Sequence, residues 1–112
     1  MKKIEAVIRP EKLPLVRKAL EDVGVRGITL VEVKGHGVQK GITQQWRGTT
    51  FTLDLLPKVK LEVFVPEAKL EPAVSAIREA ALTGEIGDGK IFVLEVAEAI
   101  RVRTGERGEG VL

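Results

Sequence analysis

Alternation of apolar and polar residues is the first regular feature along this chain. Residues 2–9 and 59–65 alternate with a period of two, which places successive side chains on opposite sides of an extended backbone. The stretch 28–34 is rich in β-branched residues and also predicts a strand, as does the stretch 91–96. The pattern therefore predicts four β-strands, of which the first ends at Pro10 and the third at Pro66.

Two groups of apolar residues recur at intervals of three or four, which is the spacing of one helix face. Pro14 and Pro72 each fit the first turn of such a helix. The groups are Leu13, Val16, Leu20 and Val23, and then Leu70, Val74, Ile77 and Ala81. The resulting order, β-α-β-loop-β-α-β, predicts an α+β fold, the ferredoxin-like split βαβ sandwich (βαββαβ). We expect a single domain over residues 1–112.

Two helices can cover only one face of this sheet. The other face is expected to carry Val7, Leu30, Phe64, Phe92 and Leu94 beside Glu5, Glu32 and Glu62. A face this apolar favours a homo-oligomer, because large exposed apolar patches are rare on monomers. The alternative is a monomer, since antiparallel sheets tolerate one mixed exposed face.

The amino-acid composition excludes several classes of catalytic and metal site. The 112 residues include 18 basic and 16 acidic side chains, and this surplus of +2 disfavours general nucleic-acid binding. The absence of Cys and the single His exclude thiolate nucleophiles, Cys-ligated zinc and two-His metal motifs. Charged residues near Met1 do not match a signal peptide, and no apolar run has membrane-spanning length. We therefore expect a cytoplasmic protein.

A long loop is expected between the second and third strands, over residues 37–55. Loops of this length in compact domains tend to be functional, and three glycines predict mobility. Trp46 and Arg47 lie near its middle, and an exposed Trp-Arg pair is typical of a binding hot spot. A β-hairpin extension is the alternative, because polar and apolar residues alternate from Thr50 to Leu55. The tail over 104–112 is expected to be loose.

The segment Gly84–Lys90 matches Gly-x-x-x-x-Gly-Lys, the first seven positions of a P-loop. The next position is Ile91 where magnesium binding requires Ser or Thr, and the loop runs from helix to strand instead of strand to helix. A P-loop is therefore rejected. Two interpretations remain: an anion-binding nest of glycine amides with Lys90 beside it, or a flexible connector.

Arg101 and Arg103 form a second cationic feature. In an extended strand their guanidinium groups would project to the same side about 7 Å apart, a spacing that suits a polyphosphate. Lys90, Arg101 and Arg103 bracket the last strand and could converge at one end of the sheet or across an oligomer seam. Exposed strand charges are the alternative.

Several segments together resemble the PII signal-transduction proteins of nitrogen metabolism, without a gap from residue 1 to about residue 106. They are Glu32-Val33-Lys34-Gly35-x-Gly37-x-Gln39-Lys40-Gly41, Arg47-Gly48, Leu56-Pro57-Lys58-Val59-Lys60, Thr83-Gly84-x-Ile86-Gly87-Asp88-Gly89-Lys90-Ile91-Phe92-Val93 and Ile100-Arg101-x-Arg103-Thr104-Gly105-Glu106.

The resemblance implies a homotrimer with three nucleotide sites between subunits, where ATP and ADP compete. By position, Gly87, Asp88, Gly89 and Lys90 would cradle phosphates, and Arg101 and Arg103 would add charge across the seam. Thr29, Glu62 and the backbone of Phe64 would hold the adenosine end. The nucleotide contacts would extend to Gly37, Val38 and Gln39, with Gln39 as the Mg²⁺ ligand.

The same resemblance implies that ATP with Mg²⁺ supports binding of 2-oxoglutarate. The dicarboxylate would be held by Gln39, Lys40, Gly41, Lys58 and Gly87. The 37–55 loop, with Trp46 and Arg47, would bind a target, either an ammonium channel or a nitrogen-assimilation enzyme. A channel target would recruit this otherwise cytoplasmic regulator, which is not expected to be an enzyme, to the membrane.

Two departures from the family pattern bear on regulation. Val38 replaces an Arg that reaches the outer phosphate in many members, and Phe51 replaces the Tyr that many bacterial members modify. Phenylalanine has no hydroxyl, so this modification is chemically excluded at Phe51. The alternative functions are a small ATPase, opposed by Ile91 and the reversed loop context, and a nucleic-acid-binding ferredoxin-like module, opposed by the lack of aromatic stacking pairs.

Overall fold

The computed structural model describes residues 1–36, 42–46, 49–53 and 55–112. Its elements are β1 (Lys2–Ile8), α1 (Leu13–Asp22), β2 (Ile28–Gly35), β3 (Ile42–Trp46), β4 (Thr49–Leu53), β5 (Leu56–Val65), α2 (Leu70–Ala81) and β6 (Gly89–Glu95). Single 3₁₀ turns precede both helices, at Pro10–Lys12 and Glu67–Lys69. Over these described ranges, no helix is long and apolar enough to cross a membrane.

Four of the strands form one antiparallel sheet in the order β2-β5-β1-β6. The helices pack against each other and cover one face of this sheet. The core between the two layers is aliphatic, as expected from the few aromatic residues. Its main side chains are Ile4, Ala6, Ile8, Val16, Leu20, Leu61, Val63, Val65, Ala73 and Ile77. This arrangement confirms the predicted α+β ferredoxin-like fold.

The insertion between β2 and β5 contains a second, separate sheet. Strands β3 and β4 pair antiparallel, with Ile42 opposite Leu53 and Trp46 opposite Thr49. The alternation between Thr50 and Leu53 therefore indicated a true strand, and the hairpin alternative is confirmed for these residues. Asp54 lies outside the described residues, and Leu55 lies beyond the end of β4.

Strand register corrects the predicted composition of the helix-free face. Leu30 pairs with the buried Leu61, and Glu32 pairs with Val59, which also faces the helices. Directly paired residues point to the same side of a sheet, so Leu30 and Glu32 lie on the helix side. Thr29, Val31 and Val33 take their place on the helix-free face.

The other apolar residues predicted for the helix-free face do lie on it. Phe64, Phe92 and Leu94 lie on the helix-free side and are 43%, 50% and 43% exposed. Between them run four alternating charges, in which Lys3 and Lys60 each contact both Glu5 and Glu62 at 3.3–3.9 Å. These four charges balance one another within the chain, so the part of the face between the apolar residues has no net charge.

Two strands begin earlier than the sequence pattern predicts. β5 begins at Leu56 instead of Val59, and β6 begins at Gly89 instead of Ile91. The first three residues of β5 pair with β2 alone, because β1 meets β5 only from Val59 onward. Pro57 is therefore accommodated at a stretch with one open edge, where no hydrogen-bond donor is needed.

The segment after β6 is held by local backbone contacts. Ile100 pairs with Arg107 in an isolated bridge, and the amide of Gly108 donates to the carbonyl of Ala99 at 2.9 Å. A 3₁₀ turn covers Glu109–Val111. The looseness expected for residues 104–112 stays a prediction.

Candidate functional site

Residues 83–90, which lead from α2 into the first two residues of β6, are organised around one carboxylate. Asp88 Oδ2 accepts hydrogen bonds from the amides of Thr83 and Gly84, both at 2.9 Å. Asp88 Oδ1 accepts one from the Thr83 hydroxyl and one from Arg9 Nε at 3.2 Å. The bonds from Thr83, together with those from Gly84 and Arg9, hold the pKa of Asp88 well below its usual range. The carboxylate thus closes this segment, the 83–90 loop, into a compact turn.

Two glycines allow the 83–90 loop to enter the sheet. Gly87 and Gly89 have φ angles of 104° and 103°, in the region that disfavours other residues. Gly89 lies in the ladder opposite Ile8, and a Cβ there would stand 1.7 Å from the carbonyl oxygen of Val7. The backbone of the loop can therefore approach β1 more closely than any side chain would permit.

Two cationic side chains from other elements contact the loop. Arg9, just after β1, donates from Nη2 to the carbonyl of Ile86 at 2.9 Å. Lys58, near the start of β5, donates from Nζ to the carbonyl of Gly87 at 2.8 Å. Partial burial and then the nearby Arg9 lower the pKa of Lys58. Arg9 is balanced by Asp88, so Lys58 supplies positive charge beside a glycine-rich backbone, which is chemistry suited to carboxylates and phosphates.

Lys90 is the last residue of the 83–90 loop and lies on the helix-free face of the sheet. It pairs with Val7 in the ladder and is exposed. Among the described residues it forms no ion pair, which leaves its ammonium group available to an anion.

A separate cleft of about 810 Å³ lies at the far end of the sheet. Thr29 and Phe64 line it from β2 and β5, and Arg101 lines it from the segment after β6. Glu62 is the ladder partner of Thr29 on the same face. The volume falls in the range of about 300–1,000 Å³ that is typical of small-molecule sites.

The geometry assumed for the arginine pair is wrong. Residues 102–104 form a turn, in which the amide of Gly105 donates to the carbonyl of Arg101 at 2.8 Å. The extended spacing of about 7 Å therefore does not apply. Arg101 instead pairs with Glu106 at 3.1 Å.

The predicted site residues divide into two groups. The 83–90 loop lies with Lys58 near Ile8, at one end of β1 and β6, whereas Arg101 follows the other end of β6. Convergence of Lys90 and Arg101 at one end of a single sheet is therefore wrong. Gly37, Val38, Gln39, Lys40, Gly41 and Arg47 lie outside the described residues, and Trp46 is the last residue of β3.

Comparison with known proteins identifies the family. A family model described as nitrogen regulatory protein P-II matches residues 1–106. The chain belongs to the P-II family. Proteins named nitrogen regulatory protein P-II from Rhodospirillum rubrum and Azospirillum brasilense are 56% identical to it over 108 residues, 96% of each chain. The one from Haemophilus influenzae is 54% identical over 112 residues, the full length of both.

Membership confirms the resemblance noted in the sequence and gives this P-II protein a role in nitrogen regulation. The sequence alone did not show that Arg9 contacts the loop or that Thr83 bonds to the Asp88 carboxylate. Arg9 is 79 residues from Asp88, and no local pattern signals so distant a contact. Thr83 carried a weaker signal, because Ser and Thr near a turn often bond to the backbone nearby.

Proposed function

We propose that this P-II protein is a homotrimer that senses ATP, ADP and 2-oxoglutarate and controls nitrogen assimilation by binding target proteins. The observation that carries the proposal is the division of the candidate site between two ends of the sheet. A nucleotide that contacts both the 83–90 loop and the cleft near Arg101 needs two copies of the chain. The exposed Phe64, Phe92 and Leu94 provide an apolar face for such an assembly.

The nucleotide would bind between the two groups of residues. The backbone of Gly87, Asp88 and Gly89 with Lys90 would hold phosphates, and Arg101 and Arg103 would approach from the neighbouring subunit. Thr29, Glu62 and the backbone of Phe64 would hold the adenosine end. Gly37, Val38 and Gln39 would complete the site, with Gln39 as the Mg²⁺ ligand.

The dicarboxylate has a matching environment near Lys58. The Lys58 ammonium lies 2.8 Å from the Gly87 carbonyl, and partial burial, followed by the nearby Arg9, lowers its pKa. Because Arg9 is paired with Asp88, Lys58 supplies the positive charge that favours a carboxylate ligand beside the loop. We assign 2-oxoglutarate to this position, with Gln39, Lys40 and Gly41 as its other contacts.

Titration calorimetry on the purified protein tests the sensing function. ATP and ADP should each bind and compete, and 2-oxoglutarate should bind only when ATP and Mg²⁺ are present. The variant Lys90→Ala should bind ATP more weakly, whereas Lys18→Ala, on the outer face of α1, should bind it as the parent does. Absence of nucleotide binding at millimolar concentrations would overturn the proposal.

The target would bind through residues 37–55, with Trp46 and Arg47 as contacts, and would be an ammonium channel or a nitrogen-assimilation enzyme. A channel target would bring this regulator to the membrane. A pull-down with ADP and another with ATP plus 2-oxoglutarate should retain different amounts of the same partner. Equal retention in both conditions would contradict ligand-controlled binding.

A further inference from the structure

Asp88 carries a negative charge in a loop that is proposed to bind negatively charged phosphates. A carboxylate that faced the ligand would repel it, and two like charges at contact distance cost free energy. The structure shows the carboxylate turned into the loop, where both oxygens accept hydrogen bonds from Thr83, Gly84 and Arg9. Its negative charge is thus neutralised by a cation of the same chain.

Arg9 connects this loop to the end of β1. One guanidinium group bonds to two different parts of the loop, the Asp88 carboxylate through Nε and the Ile86 carbonyl through Nη2. The Arg9 side chain is 15% exposed, so water competes little for these bonds. A planar, multidentate guanidinium fixes its partners in one relative position, which a lysine cannot do.

We propose that Arg9, Asp88 and Thr83 form a clamp that positions the 83–90 loop for anion binding without touching the anion. The clamp fixes the loop backbone before ligand arrives, so the ligand does not lose free energy by ordering it. This proposal rests on the phosphate role proposed above for the loop. It makes Asp88 a ligand contact through its backbone alone, and its side chain a positioning group.

The test compares Asp88→Asn, Arg9→Gln and the double variant with the parent protein. Asp88→Asn keeps the size of the side chain and one oxygen for the amides of Thr83 and Gly84, but removes the charge that pairs with Arg9. Lys18→Gln is the matched control, because it removes an ion pair with Asp22 on α1, away from the loop. The readouts are ATP affinity by calorimetry and amide hydrogen exchange of residues 84–90 in the ligand-free protein.

We expect Asp88→Asn to weaken ATP binding about tenfold, and Arg9→Gln to weaken it at least as much because it also removes the bond to the Ile86 carbonyl. The double variant should bind ATP no more weakly than Arg9→Gln, because both substitutions remove the pairing of Arg9 with Asp88. Amide exchange over residues 84–90 should rise in the same three variants and stay unchanged in Lys18→Gln. If Asp88→Asn binds ATP more tightly than the parent, the carboxylate faces the phosphates and the clamp is wrong. Additive losses in the double variant would also overturn it.

The two proposals fail in distinguishable ways. If the parent protein binds no ATP, the sensing function is refuted. The clamp is then tested by amide hydrogen exchange of residues 84–90 in the ligand-free protein. Unchanged exchange in Arg9→Gln refutes the clamp even if ATP binds. Where Asp88→Asn fails to fold, Thr83→Val replaces it, because valine keeps the shape and removes the hydroxyl donor.

Discussion

At Gly89, strand β6 passes β1 with no room for a side chain. A Cβ on this residue would lie 1.7 Å from the Val7 carbonyl oxygen, and the φ of 103° is itself unfavourable for alanine. We expect Gly89→Ala to lower the free energy of unfolding by about 3 kcal/mol or more, since β1 is a central strand and cannot shift freely. Urea unfolding measures this loss.

Gly84→Ala is the matched control for Gly89→Ala. Gly84 has a similar φ of 89°, but nothing lies within 4 Å of the position that a Cβ would take there. Only the backbone strain remains, so we expect a loss of about 1 kcal/mol. Equal losses at the two positions would show that the contact with Val7 has no effect on stability.

The charge of Asp88 should make stability depend on pH. Hydrogen bonds from Thr83 hold its folded-state pKa below the unfolded value of about 3.9, so folding is favoured wherever the carboxyl is ionised in both states. This contribution is complete above about pH 5 and is lost progressively as the pH falls through the unfolded pKa toward the folded-state pKa. The parent protein should therefore exceed Asp88→Asn in stability at about pH 7, with a smaller difference at about pH 3. Urea unfolding at the two pH values measures this difference in stability between parent and variant. An equal difference at both pH values would contradict this account.

At the scale of elements, prediction succeeded where one face of an element is clearly apolar. The residues Leu70, Val74 and Ile77 mark a helix face, and α2 begins and ends at the predicted residues. β2 has apolar residues on both faces, so its alternation did not show which face meets the helices. Pairing with β5 decides this, and Leu30 and Glu32 were consequently placed on the wrong side.

Only part of the candidate site could be predicted from the sequence, because some of its contacts depend on strand pairing. The glycines of the 83–90 loop and Lys90 are adjacent in sequence, so their pattern was visible. Arg9 contacts Asp88 across 79 residues, and only the pairing of β1 with β6 brings them together. The spacing of Arg101 and Arg103 was derived for an extended chain, whereas residues 102–104 form a turn that the sequence pattern did not indicate.

The four-stranded sheet should fold without the insertion that separates β2 from β5. Gly35 and Leu56 are paired, so a two-residue Asn-Gly turn can replace residues 36–55 and close a hairpin. The β3–β4 ribbon is a separate sheet, and we expect the free energy of unfolding to change by about 1 kcal/mol or less. Circular dichroism with urea unfolding measures this. Loss of a cooperative transition would show that the sheet depends on the insertion.

At the scale of the whole molecule, the helix-free face should control assembly. Phe92 is 50% exposed beside Glu5 in the ladder, so Phe92→Glu places a new charge next to an existing one in an apolar surface. By light scattering we expect the parent to form the proposed trimer and this variant to be monomeric. Leu15→Glu is the control, because Leu15 is 56% exposed on α1, and it should leave the trimer intact. A trimeric Phe92→Glu would place the interface elsewhere.

Sharing of each site between two subunits can be tested by mixing. Lys90 and Arg101 lie at opposite ends of β6, so in the proposed trimer one subunit supplies Lys90 and its neighbour supplies Arg101. Lys90→Ala and Arg101→Ala trimers should each bind ATP weakly. The two variants are then unfolded and refolded together in equal amounts. Random assembly should place a subunit with an intact Lys90 beside one with an intact Arg101 at about a quarter of the sites, and these sites should bind ATP tightly. Calorimetry counts the restored sites, and mixing without refolding is the control. If refolded mixtures restore no tight sites, Lys90 and Arg101 do not serve one ligand from two subunits.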